Sequence, residues 1–173
     1  MIEHFRHAVL LQYLAVDPTL RGKGVGSGLL DVVIARWARG ASVILAEFER
    51  PDVHPGHPTH GDPEARLRFY ARYGAVALHL PYFQPSLRAD AGRVHGMLLA
   101  VFDAAGVLTR RGRLVAAHSA AVRDYLDDVL DGADDLDARR LREAAHVRDG
   151  ILAHPLAEYR NIPSSPLRDP DPA

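Results

Sequence analysis

The run from Tyr13 to Leu30 constrains this chain more than any other. An apolar segment, Tyr13-Leu14-Ala15-Val16, breaks at Asp17-Pro18 and passes through Arg21-Gly22-Lys23-Gly24-Val25-Gly26-Ser27-Gly28 into a helix-forming stretch. A helix leaves the N–H groups of its first turn unpaired at the positive end of its dipole, so an anion placed there is hydrogen-bonded and electrostatically favoured. Gly22, Gly24 and Gly26 lack a Cβ, which permits positive φ and lets a ligand approach the backbone. Arg21 and Lys23 add positive charge at the rim, and Lys23 is the only lysine in the chain. The run reads as an anion cradle between a strand and a helix.

Spacing separates the phosphate-binding turns that could be meant. The lysine precedes the later glycines, so a Walker A loop is not formed, and the alternation of Gly22, Gly24, Gly26 and Gly28 does not fit the dinucleotide fingerprint. What fits is Arg/Gln-x-x-Gly-x-Gly/Ala after a strand, filled by Arg21, Gly24 and Gly26. This arrangement resembles motif A of the GNAT superfamily of acyl-CoA-dependent N-acyltransferases. The resemblance implies that Arg21, Gly22, Lys23, Gly24, Val25, Gly26 and Ser27 grip the pyrophosphate of acetyl-CoA or another acyl-CoA. It implies also that Leu14, Ala15 and Val16 offer their backbone to the pantetheine arm and to the thioester oxygen.

A second match lies at Arg66-Leu67-Arg68-Phe69-Tyr70-Ala71-Arg72-Tyr73-Gly74-Ala75. It resembles the helix of the same superfamily whose tyrosine is proposed to protonate the leaving thiolate, and Tyr70 takes that position. The chemistry is sensible, since a thiol of pKa about 8.5 is better expelled beside a donor such as a phenol of pKa about 10. The resemblance spans about residues 9 to 103.

The implied fold is α/β of the α+β type: a GNAT-like mixed sheet flanked by helices. Strands are expected at Val9–Val16, Val43–Phe48, Ala75–Leu80 and Gly96–Asp103. Helices are expected from Val25 to Arg39, with Leu29, Val33 and Trp37 and, beside them, Leu30, Ile34 and Ala38 on the packed stripe, and from Pro63 with Asp62 as its cap. Two further helices, about Arg113–Leu130 and Leu136–Leu152, are expected as a helical appendage over 105–153, after an acyl-CoA-binding domain over 1–104. The proline-rich tail over 154–173 is expected to be disordered or to form a loose strap.

Relative to the superfamily the chain is N-terminally short, only Met1 to Ala8 preceding the first expected strand. Truncation, a misplaced start, or replacement of the lost cover by the C-terminal helices would each account for that. A central strand without neighbours would expose an edge, which points to a possible homodimer.

A net charge of −1 gives no electrostatic footprint for nucleic acid. The absence of cysteine removes disulfides, thiolate metal sites and a cysteine nucleophile. No segment approaches a membrane span or a signal peptide, so a cytoplasmic protein is expected.

An acyl acceptor amine of pKa about 10.4 must lose a proton before it attacks. Glu47, alternating with Glu49 on one strand face, is the candidate base or amine anchor, and Gln12 could orient a substrate. With no cysteine and no evident activated nucleophile, direct transfer to a small-molecule or peptide amine is expected. His54, His57 and His60 offer metal-ligand types, but their Pro-Gly-rich spacing gives no means of converging them, and no metal is assigned. The acidic run from Asp124 to Asp137 is expected to be a solvated face, and the Ser27 hydroxyl to cap the glycine-turn helix. Two rivals stand beside the enzyme: a non-catalytic CoA-binding or interaction remnant of such a domain, and an unrelated anion-binding module.

Overall fold

The computed structural model describes residues 1–37, 43–56, 61–86, 92–102 and 106–165. Six strands, β1 (Ile2–His4), β2 (Ala8–Leu11), β3 (Val43–Glu49), β4 (Ala75–Leu78), β5 (Met97–Phe102) and β6 (Ala153–Pro155), form one sheet in the order β1-β2-β3-β5-β4-β6. The β2–β3 pair is parallel and every other neighbouring pair is antiparallel. Such a mixed sheet follows from sequence order: β2 reaches β3 through helix α1 (Val25–Trp37), a crossover that parallel pairing requires.

Alternation along the strands splits the core into two layers. Val43, Leu45, Leu99 and Val101 face α3 (Ala116–Val129) and α4 (Leu136–Ala145), packing on Val122, Tyr125, Leu126 and Leu141. Ile44, Ala46, Phe48, Leu98 and Ala100 face the other way, against Leu30 of α1 and Leu67 and Tyr70 of α2 (Pro63–Ala71). The segment expected as an appendage therefore covers one whole face of the sheet. Burying that face requires an apolar partner, and the stripe of α3 supplies it.

Several expectations change. The first central strand ends at Leu11 rather than Val16. The edge expected to lie open on it is filled by β1, with Ile2 opposite Leu11 and His4 opposite Val9. The tail is ordered through 165: β6 joins the sheet beside β4, and the 3-10 helix Leu156–Asn161 buries Leu156 and Tyr159 against the α1/α2 face. On α1, Leu30 and Val33 are buried and Ile34 and Trp37 pack against the core as expected, whereas Leu29, expected on the same stripe, is exposed.

The acidic run is not uniformly solvated either. Asp135 caps α4, accepting from the backbone N–H of Asp137 and Ala138, and holds Arg93 through two bonds of 2.7 and 2.6 Å. That guanidinium keeps the Asp135 carboxyl well below the usual carboxylate range. Asp137 is buried.

Candidate functional site

Pairing of β2 with β3 stops at Leu11 opposite Ala46, while β3 runs on through Glu47, Phe48 and Glu49. The chain from Gln12 to Asp17 diverges from it and belongs to no strand. The resulting wedge opens into a cleft of about 860 Å³, within the size range of small-molecule sites.

One wall is the glycine turn. Asp17 starts it, its Oδ1 accepting from the N–H and the hydroxyl of Thr19 at 2.8 and 2.6 Å, and Pro18 opens a single 3-10 turn. Gly22 and Gly24 then take φ of +74° and +80°, the left-handed values that reverse the chain into α1. The first helical bond runs from Gly28 N–H to Gly24 C=O. The N–H groups of Val25, Gly26 and Ser27 donate to no described residue, at the positive end of the helix. A Cβ on Gly22 or Gly24 would meet nothing within 4 Å, so the space in front of the turn is open. These features fit a diphosphate: free donors, an open approach and a cation, Arg21, whose Nε is steadied by the Val16 carbonyl at 3.3 Å.

Leu14, Ala15, Val16, Arg21, Gly22, Gly24, Val25, Gly26, Ser27, Tyr70 and Glu47 all line the cleft. Lys23 does not. Ser27 lies inside α1, and its hydroxyl caps nothing among the described residues.

Tyr70 enters from α2, which Asp62 caps at Glu64 N–H and Pro63 begins. Its ring stacks on Phe48 at 4.6 Å and meets Phe102 edge-on at 6.1 Å. The hydroxyl has no partner among the described residues and is not among their sealed, unbonded polar atoms, so it opens on the cleft. Burial pushes the phenol above its ordinary value, with Arg66 opposing that shift.

Glu47 and Glu49 reach the cleft from the opposite sheet face. Glu49 pairs with Arg66 at 2.8 Å. Glu47 is held by Tyr82, Gln84 and Tyr125, which the sequence did not single out. His54 gives its Nε2 to the carbonyl of His95 at 2.8 Å, while His57 and His60 lie outside the described residues. No group of three or more metal-ligating side chains forms among the described residues, and no described helix is long and apolar enough to cross a membrane.

No protein-family profile and no curated protein matches this chain. Among solved structures, a Bacteroides thetaiotaomicron chain described as "Putative acetyltransferase from GNAT family" aligns with a TM-score of 0.51 over 77% of this chain, at 22% identity. This chain spans 65% of the length of that one. The two chains share a fold, which in this chain is a mixed sheet flanked by helices and parted at its parallel strand pair.

Proposed function

We propose that this chain is an acyl-CoA-dependent N-acyltransferase that passes an acetyl or other acyl group directly to an amine. The observation that carries this is convergence. One cleft gathers the free N–H groups of Val25, Gly26 and Ser27, the unpartnered Tyr70 hydroxyl and the Glu47 carboxylate. A fold of the GNAT kind supports the same class.

In this reading Gly22 and Gly24 to Ser27, with Arg21, hold the pyrophosphate, and the backbone of Leu14 to Val16, which pairs with no strand, lies along the pantetheine arm. When bound, the acyl-CoA supplies an activated thioester. Glu47 holds the acceptor nitrogen. As the new C–N bond forms and the C–S bond breaks, the amine loses one proton and the sulfur gains one. Tyr70 Oη donates toward that sulfur. Because burial raises the phenol above about 10 while a thiol sits near 8.5, the hydroxyl stabilises the developing thiolate by sharing its proton.

Calorimetric titration with acetyl-CoA, desulfo-CoA and ATP tests the reading. Saturable binding of both CoA species but not ATP is expected, followed by acetylation of primary amines. Binding without turnover would make the chain a CoA-binding module, and a folded chain that binds no CoA would overturn the assignment.

A further inference from the structure

Glu47 stands on β3 one residue beyond the last β2–β3 rung, and three side chains from distant segments fix it there. The Tyr82 hydroxyl donates to Glu47 Oε1. The Gln84 amide donates to Oε2 at 2.6 Å. Tyr82 has one hydroxyl proton, already directed at Glu47, so in its 3.0 Å contact with Tyr125 the latter must donate. Tyr125 also stands 3.4 Å from Oε1. The protons therefore run one way, from Tyr125 to Tyr82 to Glu47, and such a chain polarises and strengthens each bond in it.

Both phenol rings are fully buried, and Phe5 packs edge-on against Tyr125 at 4.9 Å. Burial above all, joined by Tyr125 and then Glu47 at Tyr82 and by Glu47 against the opposing bond from Tyr82 at Tyr125, pushes both hydroxyls well above their ordinary range, so they remain donors at neutral pH. A carboxylate oxygen offers about two lone-pair directions. Tyr82 takes one direction of Oε1 and the Tyr125 hydroxyl, 3.4 Å away, screens the other, whereas Oε2 carries only Gln84 among the described residues and keeps one direction open on a residue that lines the cleft.

We propose that Tyr82, Gln84 and Tyr125 are positioning residues that hold Glu47 so that the open direction of Oε2 receives one N–H of an aliphatic ammonium acceptor. This rests on the acyltransferase reading. A single fixed acceptor suits a protonated alkylamine, which donates one N–H to Glu47, releases another proton to water, and presents its lone pair to the thioester. An arylamine, neutral in water, would gain less from a fixed negative charge.

The test uses the full chain, free and saturated with CoA, and n-butylammonium as the probe. Tetramethylammonium, of equal charge but without N–H, is the control. Affinity is read by NMR from the backbone amide of Glu47 and from the hydroxyl proton of Tyr82, and acetyl-CoA affinity by calorimetry. Butylammonium is expected to bind saturably and tetramethylammonium not. Tyr82→Phe and Gln84→Met should each weaken butylammonium by about tenfold, the scale of one hydrogen bond to a charged group, with acetyl-CoA affinity within about twofold. Tyr125→Phe should act in the same direction more weakly. Unchanged butylammonium affinity in Gln84→Met, or equal binding of tetramethylammonium, would overturn the proposal. Gln84 is only half-buried, so its variant decides the matter even if Tyr82→Phe fails to fold. If acetyl-CoA does not bind the unaltered chain, the acyltransferase reading falls on its own, and the butylammonium titration of the free chain still tests the Glu47 site.

Discussion

Leu11 faces Ala46 across the last rung of the β2–β3 ladder, and beyond it the two strands part. A continued ladder would have kept the two sheet faces separate, with Glu47 on the α3 side and Phe48 on the α2 side. The parting lets Glu47 and the Tyr70 ring stacked on Phe48 look into one space. It also leaves the backbone from Leu14 to Val16 without a strand partner, next to a helix start with free N–H groups.

Gly24 is the position where a single atom should matter most to an anion. Its φ of +80° makes any side chain strained, while the space in front of it is open. Gly24→Ala is expected to lower stability by about 1–2 kcal/mol and to weaken CoA moderately. Gly24→Asp adds a negative charge at the same place and should weaken CoA on the order of a hundredfold or more. Calorimetry on both variants checks this; equal CoA affinity for the two would remove the pyrophosphate from this turn.

Tyr70→Phe keeps the stacking on Phe48 and deletes only the hydroxyl. Turnover should fall by about a hundredfold, the lower end for loss of a proton-donating group, and acetyl-CoA affinity should stay within about twofold. Steady-state rates with calorimetry on the same sample separate the two effects. A fully active variant would take Tyr70 out of the chemistry.

Three buried phenols predict an alkaline weakness. Burial raises Tyr70, Tyr82 and Tyr125 above the ordinary value of 10.0. Below that value both states are protonated and stability is intact. Above it the unfolded phenols ionise while the native ones hold their protons, so the native state binds more protons and stability falls as pH rises. The slope is at most about 1.4 kcal/mol per pH unit for each tyrosine. Urea midpoints between about pH 9 and 11 should drop, and the drop should be shallower in Tyr125→Phe. A parallel dependence in the variant would contradict the assignment.

What was legible in the sequence was local. Gly22 and Gly24 at positive φ, Asp62 as a cap and Pro63 as a first helical residue all act within a few positions, and each stands where expected, whereas Gly26 is helical inside α1 and Asp17-Pro18 opens a 3-10 turn rather than ending the strand. The early end of β2 was not legible, because apolar composition continues to Val16 and only the partner strand decides where pairing stops. Tyr82 and Tyr125 meet Glu47 from 35 and 78 positions away, and no spacing rule links such residues before the sheet forms. In the tail the prolines suggested disorder or a loose strap, yet Leu156 and Tyr159 stand three residues apart, the period of the 3-10 helix that buries them, and Ile162 is buried just beyond its end.

Tyr159 offers the sharpest test of that tail. Its side chain is 4% exposed, packed with Leu156 and Ile162 against the α1/α2 face and flanked by the guanidinium of Arg160 at 4.8 Å. Its hydroxyl, however, is buried with no partner among the described residues. Tyr159→Ala removes the ring and leaves a cavity, which costs about 3–5 kcal/mol for an aromatic in a core. Tyr159→Phe removes only a desolvated polar group that gains nothing in the native state, so it should be neutral or stabilise by about 1 kcal/mol. Urea unfolding at constant slope reads both changes as shifts in midpoint. A small loss in Tyr159→Ala would mean that the tail does not pack on the core in solution. A loss in Tyr159→Phe as large as that in Tyr159→Ala would instead mean that the hydroxyl is bonded.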